Sequence, residues 1–395
     1  MEAQTQAQWQ EADLLAWQDA VARFVRQAVA PRCTQSEQAL SLSSARELIN
    51  GLIDLGVLNL GAEPAGGLWD QDDDPMQRRL AVSILQALAA QSAGLAYQVH
   101  SQALASRLDR WAGVSGPGPV LVGLQGSLGL GRDAVVQALR GQTLSGAQRA
   151  LMADNWGWPT PSQPRYLHAL PDWQAVWLPV WVESGGWQWH RLARDAMRVS
   201  ASTASHGLDD LGTQAVWLDP IQGASTRCRP ATWQGASAQQ AWAALQAMHA
   251  VGLQAMTQAI VDRAWQQAQD YASLRRQGGQ TIVGHLAVQQ LLGRARSAVC
   301  ESDQVLTQIG SATCRWPDLI TRWRDRARCQ TSLSNGASAA LQVFGGMGYM
   351  RDNAMERALR DVNHLRLLGG SPAELALCVH HADAFATLSH DGATA

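Results

Sequence analysis

Residues 342–361 read QVFGGMGYMRDNAMERALRD. Gln342, Val343 and Phe344 close an apolar run, and Gly345, Gly346 and Gly348 then arrive within four positions. Glycine lets backbone approach a bound group with no side chain between them. What flanks the cluster decides what it serves.

On both sides the apolar residues recur at helical spacing. The expected helices are 237–276, 284–310, 316–346 with an interruption, and 371–386. The N-terminal part, from about residue 8 to 112, is also helical. Trp17, Val21, Phe24, Val25 and Ala28 fall on one face, and Pro31 ends that run. Ser44-Ala-Arg-Glu47 has capping-box spacing, and Gly56 sits where a left-handed cap belongs. Two more helices are expected at 76–92 and about 95–112.

Between these regions the text changes. AGVSGPGPVLVGLQGSLGLG, from residue 112, reads as a glycine-rich linker entering strands. QAVWLPVWVESGGWQWHRL (174–192) reads as two strands around a Glu-Ser-Gly-Gly turn, and TQAVWLD (213–219) as a third. Tryptophans crowd this part, and filling a small β core short of phenylalanine explains them better than lining a pocket does. A Pro-Ala-Thr boundary near 230 returns the chain to helix. The expected domains are 1–114, helical; 115–232, β-rich; and 233–395, a helical bundle.

The chain has 395 residues with 31 basic and 33 acidic side chains, so no nucleic-acid or anionic-membrane footprint is expected. No lysine occurs, which reads as compositional bias. Cys33, Cys228, Cys300, Cys314, Cys329 and Cys378 form no C-x-x-C pair or ligand-like cluster, so reduced, mostly buried thiols and no metal are expected. The polar start, MEAQTQAQWQEADLL, is unlike a secretory signal, and no apolar run approaches about 18 residues. A cytoplasmic protein is expected.

Three stretches together resemble the acyl-CoA dehydrogenase family. FVRQAVAP (24–31) with LGVLNLGAEPAGG (55–67) is similar to its N-terminal helices and loop; YASLRRQGGQTIVGHLAVQ (271–289) to its Tyr-Ala-x-x-Arg-x-x-Phe-Gly run; and QVFGGMGYMRDNAMERALRD to its Gln-x-x-Gly-Gly-x-Gly-Tyr segment. The resemblance implies an N-terminal helical domain, a small β-barrel or sandwich, and a C-terminal four-helix bundle. It also implies FAD held across a homo- or hetero-oligomer interface, an acyl-CoA thioester as substrate and an electron-transfer flavoprotein as acceptor. Arg275 takes the place of an arginine on the neighbour's FAD pyrophosphate, and guanidinium suits phosphate by its fixed fork and permanent charge. Gln277, His285, Gln342, Gly345, Gly346 and Ser371 are the other implied cofactor contacts, and Gly370 the substrate contact. A plainer reading of Arg275-Arg276 before Gly278-Gly279 is a helix C-terminus capped by glycine.

The catalytic glutamate of most members lies 27 residues after the position of Gln342, which here is Gly369. Some relatives carry it on an earlier helix, at the position of His249, and no glutamate occurs between Glu183 and Glu301. His249 is a weak candidate base with an ordinary pKa of roughly 6.5. SGAQRALM (145–152) stands where a flavin-covering Trp and Thr usually come, at Ala150 and Met152; Gly278 replaces a Phe and Leu286 a Gln. Contacts to its own flavin are eroded, and contacts offered across the interface are better kept. Three functions follow: a subunit of a heteromeric dehydrogenase that lacks its own base; a self-sufficient flavoenzyme using His249, Asp262 or Asp270; or a non-catalytic CoA-ligand-binding scaffold.

Overall fold

The structure is a computed structural model, and it describes residues 11–34, 37–58, 67–114, 119–124, 131–182, 186–218 and 232–391. Most of the 55–67 motif, the 125–130 part of the glycine-rich linker, the 183–185 turn residues, Cys228 and the Pro-Ala of the boundary near 230 lie outside these residues.

Four helices open the chain: α1 (Glu11–Phe24), α2 (Leu42–Asp54), α3 (Pro75–Ala89) and α4 (Ala93–Ala112). Helix α2 begins before the expected capping box. Ser41 is its N-cap, accepting from the Ser44 amide at 3.1 Å, while Glu47 pairs with Arg32. Gly56 does take a left-handed conformation, at φ 73°. On α3, Leu80, Ile84, Leu85 and Leu88 are each at most 4% exposed, and burying such a side chain contributes about 1.5–3 kcal/mol.

The middle region holds two helices as well as strands: β1 (Val120–Val122), α5 (Arg132–Leu139), α6 (Gly146–Trp156), β2 (Arg165–Ala169), β3 (Ala175–Val182), β4 (Gly186–Ala193), β5 (Arg198–Val199), β6 (Thr203–Ala204), β7 (Gly212–Trp217) and β8 (Thr232–Gln234). One sheet runs β1-β3-β4-β8, and a second runs β2-β7-β5 with β6 also on β7. The 145–152 stretch, where the family's flavin-covering signature is reduced, forms a helix whose start is set by a reciprocal Ser145–Gln148 capping box.

Strand β3 explains the tryptophans. Successive side chains of a strand face opposite ways. Val176, Leu178 and Val180 face a core shared with Leu121, Leu167 and Val216, whereas Trp177 and Trp181 belong to the main core shared with the helices. Trp187 lies nearly parallel to Trp242, with centroids 4.6 Å apart and 18° between planes. The tryptophans are packing residues as expected, but most fill the seam between sheet and helices, and among the described residues only Trp173 is in the sandwich core.

The C-terminal helices are α7 (Ala236–Leu274), α8 (Leu286–Ile309), α9 (Leu319–Val343), α10 (Ala354–Leu365) and α11 (Pro372–Asp391). Between α7 and α8 lies a hairpin, β9 (Arg276–Gln277) and β10 (Gln280–Thr281). Helix α9 packs on α7, α8, α10 and α11, and it runs without the expected interruption. Helix α10 is an addition to the sequence reading: Met355, Val362 and Leu365 are its few buried apolar residues, too sparse a period to stand out. Gly278 and Gly279, with φ 61° and 82°, form the hairpin turn, so they do not cap α7, which ends at Leu274. Among the described cysteines, Cys329 and Cys378 are buried, Cys33 and Cys314 half-buried and Cys300 exposed, which is less burial than expected.

Candidate functional site

A cavity of 610 Å³ lies where the β region meets the helices. Helix α4 contributes Tyr97 and Ser101, β1 contributes Leu121 and Val122, and β2 contributes Arg165 and His168. Thr213 of β7, His364 of α10, the Leu367–Leu368 turn and Glu374 of α11 complete the wall. Strand pairing sets part of this geometry: His168 stands opposite Thr213, and its Nδ1 lies 3.1 Å from the threonine Oγ1. Tyr97 and His364 meet the His168 ring edge-on, at 6.5 and 4.6 Å between centroids. Burial pushes His168 down to about 4, with His364 adding to the shift, so it is neutral near pH 7.

The turn after α10 is built around Arg326, 1% exposed. Its guanidinium donates to the Leu365 carbonyl at 3.1 Å, the Gly369 carbonyl at 3.2 Å and the Leu368 carbonyl. Burial lowers its pKa to about 9, leaving it a cation at neutral pH. Gly369 and Gly370 take φ values of 63° and 99°, which L side chains rarely adopt. Ser371, an expected FAD contact, is engaged at the start of α11: its amide donates to Glu374 Oε2 at 2.8 Å and its hydroxyl accepts from the Glu374 amide.

Behind this turn is His249, 4% exposed, outside the cavity wall. A Cβ on Gly369 would meet its Cδ2 at 2.9 Å and its Nε2 at 3.2 Å. Its ring is parallel to His100 within 5°, with Nδ1 and the His100 Nε2 3.4 Å apart. The His100 Nδ1 in turn accepts from the Trp69 indole at 3.1 Å. Burial, then His100 and Arg326, push His249 well below the usual histidine range, and burial takes His100 to about 3. Asp262 is paired with Arg296 at 3.0 Å and Asp270 is exposed; neither borders the cavity, so neither is placed as a base there.

The expected trans contacts gather elsewhere. Arg275, Gln277, Gln342 and Gly346 are exposed, and His285 and Gly345 half-buried. The His285 ring reaches the Gln277 carbonyl at 3.0 Å, and Gln342 accepts from the Tyr349 hydroxyl at 3.3 Å. Tyr271 joins the two motifs, bonding to the Arg275 amide and stacking on Phe344 at 4.4 Å. None of these residues lines the cavity. The sequence reading missed Arg165, His168, His364, Arg326 and Glu374. Only Glu374 carried a legible signal, as the last residue of Ser-x-x-Glu at 371–374. Among the described residues no group of three or more His, Cys, Asp or Glu is placed to hold a metal, and no helix is long and apolar enough to cross a membrane.

Solved structures share this architecture along nearly the whole chain. Butyryl-CoA dehydrogenase from Megasphaera elsdenii has a TM-score of 0.67 at 14% identity, covering 97% of this chain and 99% of that one. Glutaryl-coenzyme A dehydrogenase in its glutaryl-CoA complex gives 0.65 at 13%, covering 96% of each. PigA with FAD and proline gives 0.67 at 12%, covering 95% and 98%. The fold is that of the acyl-CoA dehydrogenases. Residues 324–379 match the family model described as acyl-CoA dehydrogenase, C-terminal domain, and the resemblance read from the sequence is borne out. No curated protein sequence matches the chain.

Proposed function

We propose that the chain is one subunit of a heteromeric, FAD-dependent acyl-CoA dehydrogenase of the cytoplasm, supplying cofactor contacts in trans and no base of its own. The observation that carries this reading is the contrast between its two sites. The position of the usual base is a left-handed glycine with His249 filling the adjoining space. Arg275 and the Gly345–Gly346 turn, by contrast, stand at the surface.

The residues present fit FAD. The cavity offers apolar strand and turn residues to a planar ring, with hydrogen-bonding atoms of Thr213 and His168 at one edge. On the outer face, Arg275 is the pyrophosphate contact, with Gln277, His285, Gln342, Gly345 and Gly346 beside the dinucleotide of a neighbouring subunit. When bound, FAD supplies the two-electron acceptor for α,β-dehydrogenation. This chain's part is to orient and shield. Tyr97 and Leu368 would exclude water, and the Gly370 amide, implied as the substrate contact by the family resemblance, would serve as a donor to the thioester oxygen, where a donor stabilises developing negative charge. An electron-transfer flavoprotein is the proposed acceptor. The test is the FAD-to-protein ratio and acyl-CoA dehydrogenase activity of the chain alone and with a co-expressed family partner. A yellow, active homomer that gains nothing from any partner refutes the proposal.

A second reading rests on Glu374, the one carboxylate lining the cavity among the described residues. In it the chain is self-sufficient and Glu374 takes the α-proton. Loss of turnover in an active homomer on Glu374→Gln, with FAD retained, selects this reading over the first.

A further inference from the structure

The Trp69 indole has a proton to give and no lone pair to accept with, so it fixes the direction of the chain of rings behind the cavity. His100 Nδ1 must accept. Its proton is therefore on Nε2, which donates to His249 Nδ1 in a long hydrogen bond of 3.4 Å. His249 in turn carries its proton on Nε2, which with Cδ2 forms the ring edge turned toward the Gly369 position. The sequence of donors is sterically committed: a Cβ on Gly252 of α7 would overlap the His100 ring, so the imidazole sits where only glycine leaves room. Trp69 itself holds φ 67° while 2% exposed, a conformation costing about 1–3 kcal/mol that the surroundings must impose.

Charge points the same way. Arg326 has backbone carbonyls as its hydrogen-bond partners and no carboxylate within ion-pair reach among the described residues. Arg165, 9% exposed and on the cavity wall, is likewise held by the carbonyls of Asn155 and Gly157. The one carboxylate on the cavity wall among the described residues, Glu374, accepts from the Ser371 amide. One buried guanidinium thus stands on the wall, and a second stands behind the Leu368–Gly370 turn with a directed row of N–H dipoles, while one carboxylate lines the cavity among the described residues. In a medium of low polarizability such fixed charges act strongly.

We infer that Arg326 and the Trp69–His100–His249 relay form an electropositive pole behind the Leu368–Gly370 turn, which stabilises negative charge on the ring system bound in the cavity. This rests on the FAD reading above. Uptake of two electrons and one proton from a reductant leaves the flavin ring with one added negative charge, and that is the charge the pole favours. Arg326 is a positioning residue, acting through the turn and its field; protein charge near a flavin tunes its electronics.

The test is a dithionite titration of the FAD-loaded protein, as the chain alone or in its complex. Arg326→Met is expected to shift the reduction equilibrium at least tenfold toward oxidised flavin, about 30 mV for a two-electron couple. Arg326→Lys keeps the charge and stays within about threefold of wild type, and Trp69→Phe shifts it by about threefold. A purely structural Arg326 would make Lys as damaging as Met. In parallel, ¹⁵N spectra of histidine-labelled protein, with His249 assigned by its loss in His249→Asn, should show a proton on Nε2 in wild type. This readout requires neither flavin nor a folded Arg326→Met. A proton on Nδ1, or an unchanged potential in loaded Arg326→Met, overturns the inference alone. A wild-type protein that takes up no FAD, alone or with a partner, overturns the cofactor reading as well.

Discussion

His249 occupies the space into which any side chain at Gly369 would extend: a Cβ there lies 2.9 Å from the imidazole Cδ2 and 3.4 Å from Arg326 Nη1. These are the two positions at which the family resemblance places a glutamate. In this chain they are one site, already full.

Gly369→Glu is therefore expected to fail as a repair. The left-handed backbone and the displaced imidazole together cost about 2–4 kcal/mol of stability. Urea unfolding measures the loss. A variant as stable as wild type that has gained dehydrogenase turnover shows this account to be wrong.

Gly252→Ala probes the same interior from the other helix. The added methyl overlaps His100, so the expected loss is about 1–3 kcal/mol. Thermal unfolding indistinguishable from wild type would mean that His100 is free to move aside.

Arg275→Ala addresses the outer face. The side chain is exposed, so stability should change by less than about 0.5 kcal/mol. FAD retained by the assembled oligomer through gel filtration should nevertheless fall. Full retention removes Arg275 from the cofactor contacts.

Asp361 gives a pH prediction. Burial raises its pKa to about 7 against the opposing pull of Arg357, so the folded state keeps a proton that the unfolded chain releases near pH 4. Its contribution is complete below about pH 4 and is lost as pH rises through 7. The buried histidines, lowered in the fold, pull oppositely by weakening stability below about pH 6.5. Comparison with Asp361→Asn, whose amide oxygen can still accept from Leu208, isolates the carboxyl. Wild type should lose stability relative to the variant between pH 5 and 8. Parallel unfolding curves across that range contradict the assignment.

The helices were legible because their apolar periods are local, and the 271–289 and 342–361 motifs fixed the architecture from short stretches. Strands β3 and β4 were legible from β-branched and aromatic residues around a glycine turn. Helix α6 was not, because its signal is a capping box in a stretch being read for a flavin-covering segment. The missing glutamate at 369 was visible by counting. What fills its place was not: Trp69, His100, His249 and Arg326 come from four separate parts of the chain, and only the folded core brings them together. Position 249 and position 369 were each legible as alternatives, while their competition for the same volume is a property of three dimensions.

Helix α7 runs unbroken from Ala236 to Leu274, carrying His249 in the interior and ending beside Arg275 at the surface. The two lie about 39 Å apart along its axis. So long a rod cannot bend cheaply inside a close-packed bundle. The same helix therefore ties the buried imidazole and the exposed guanidinium to one element.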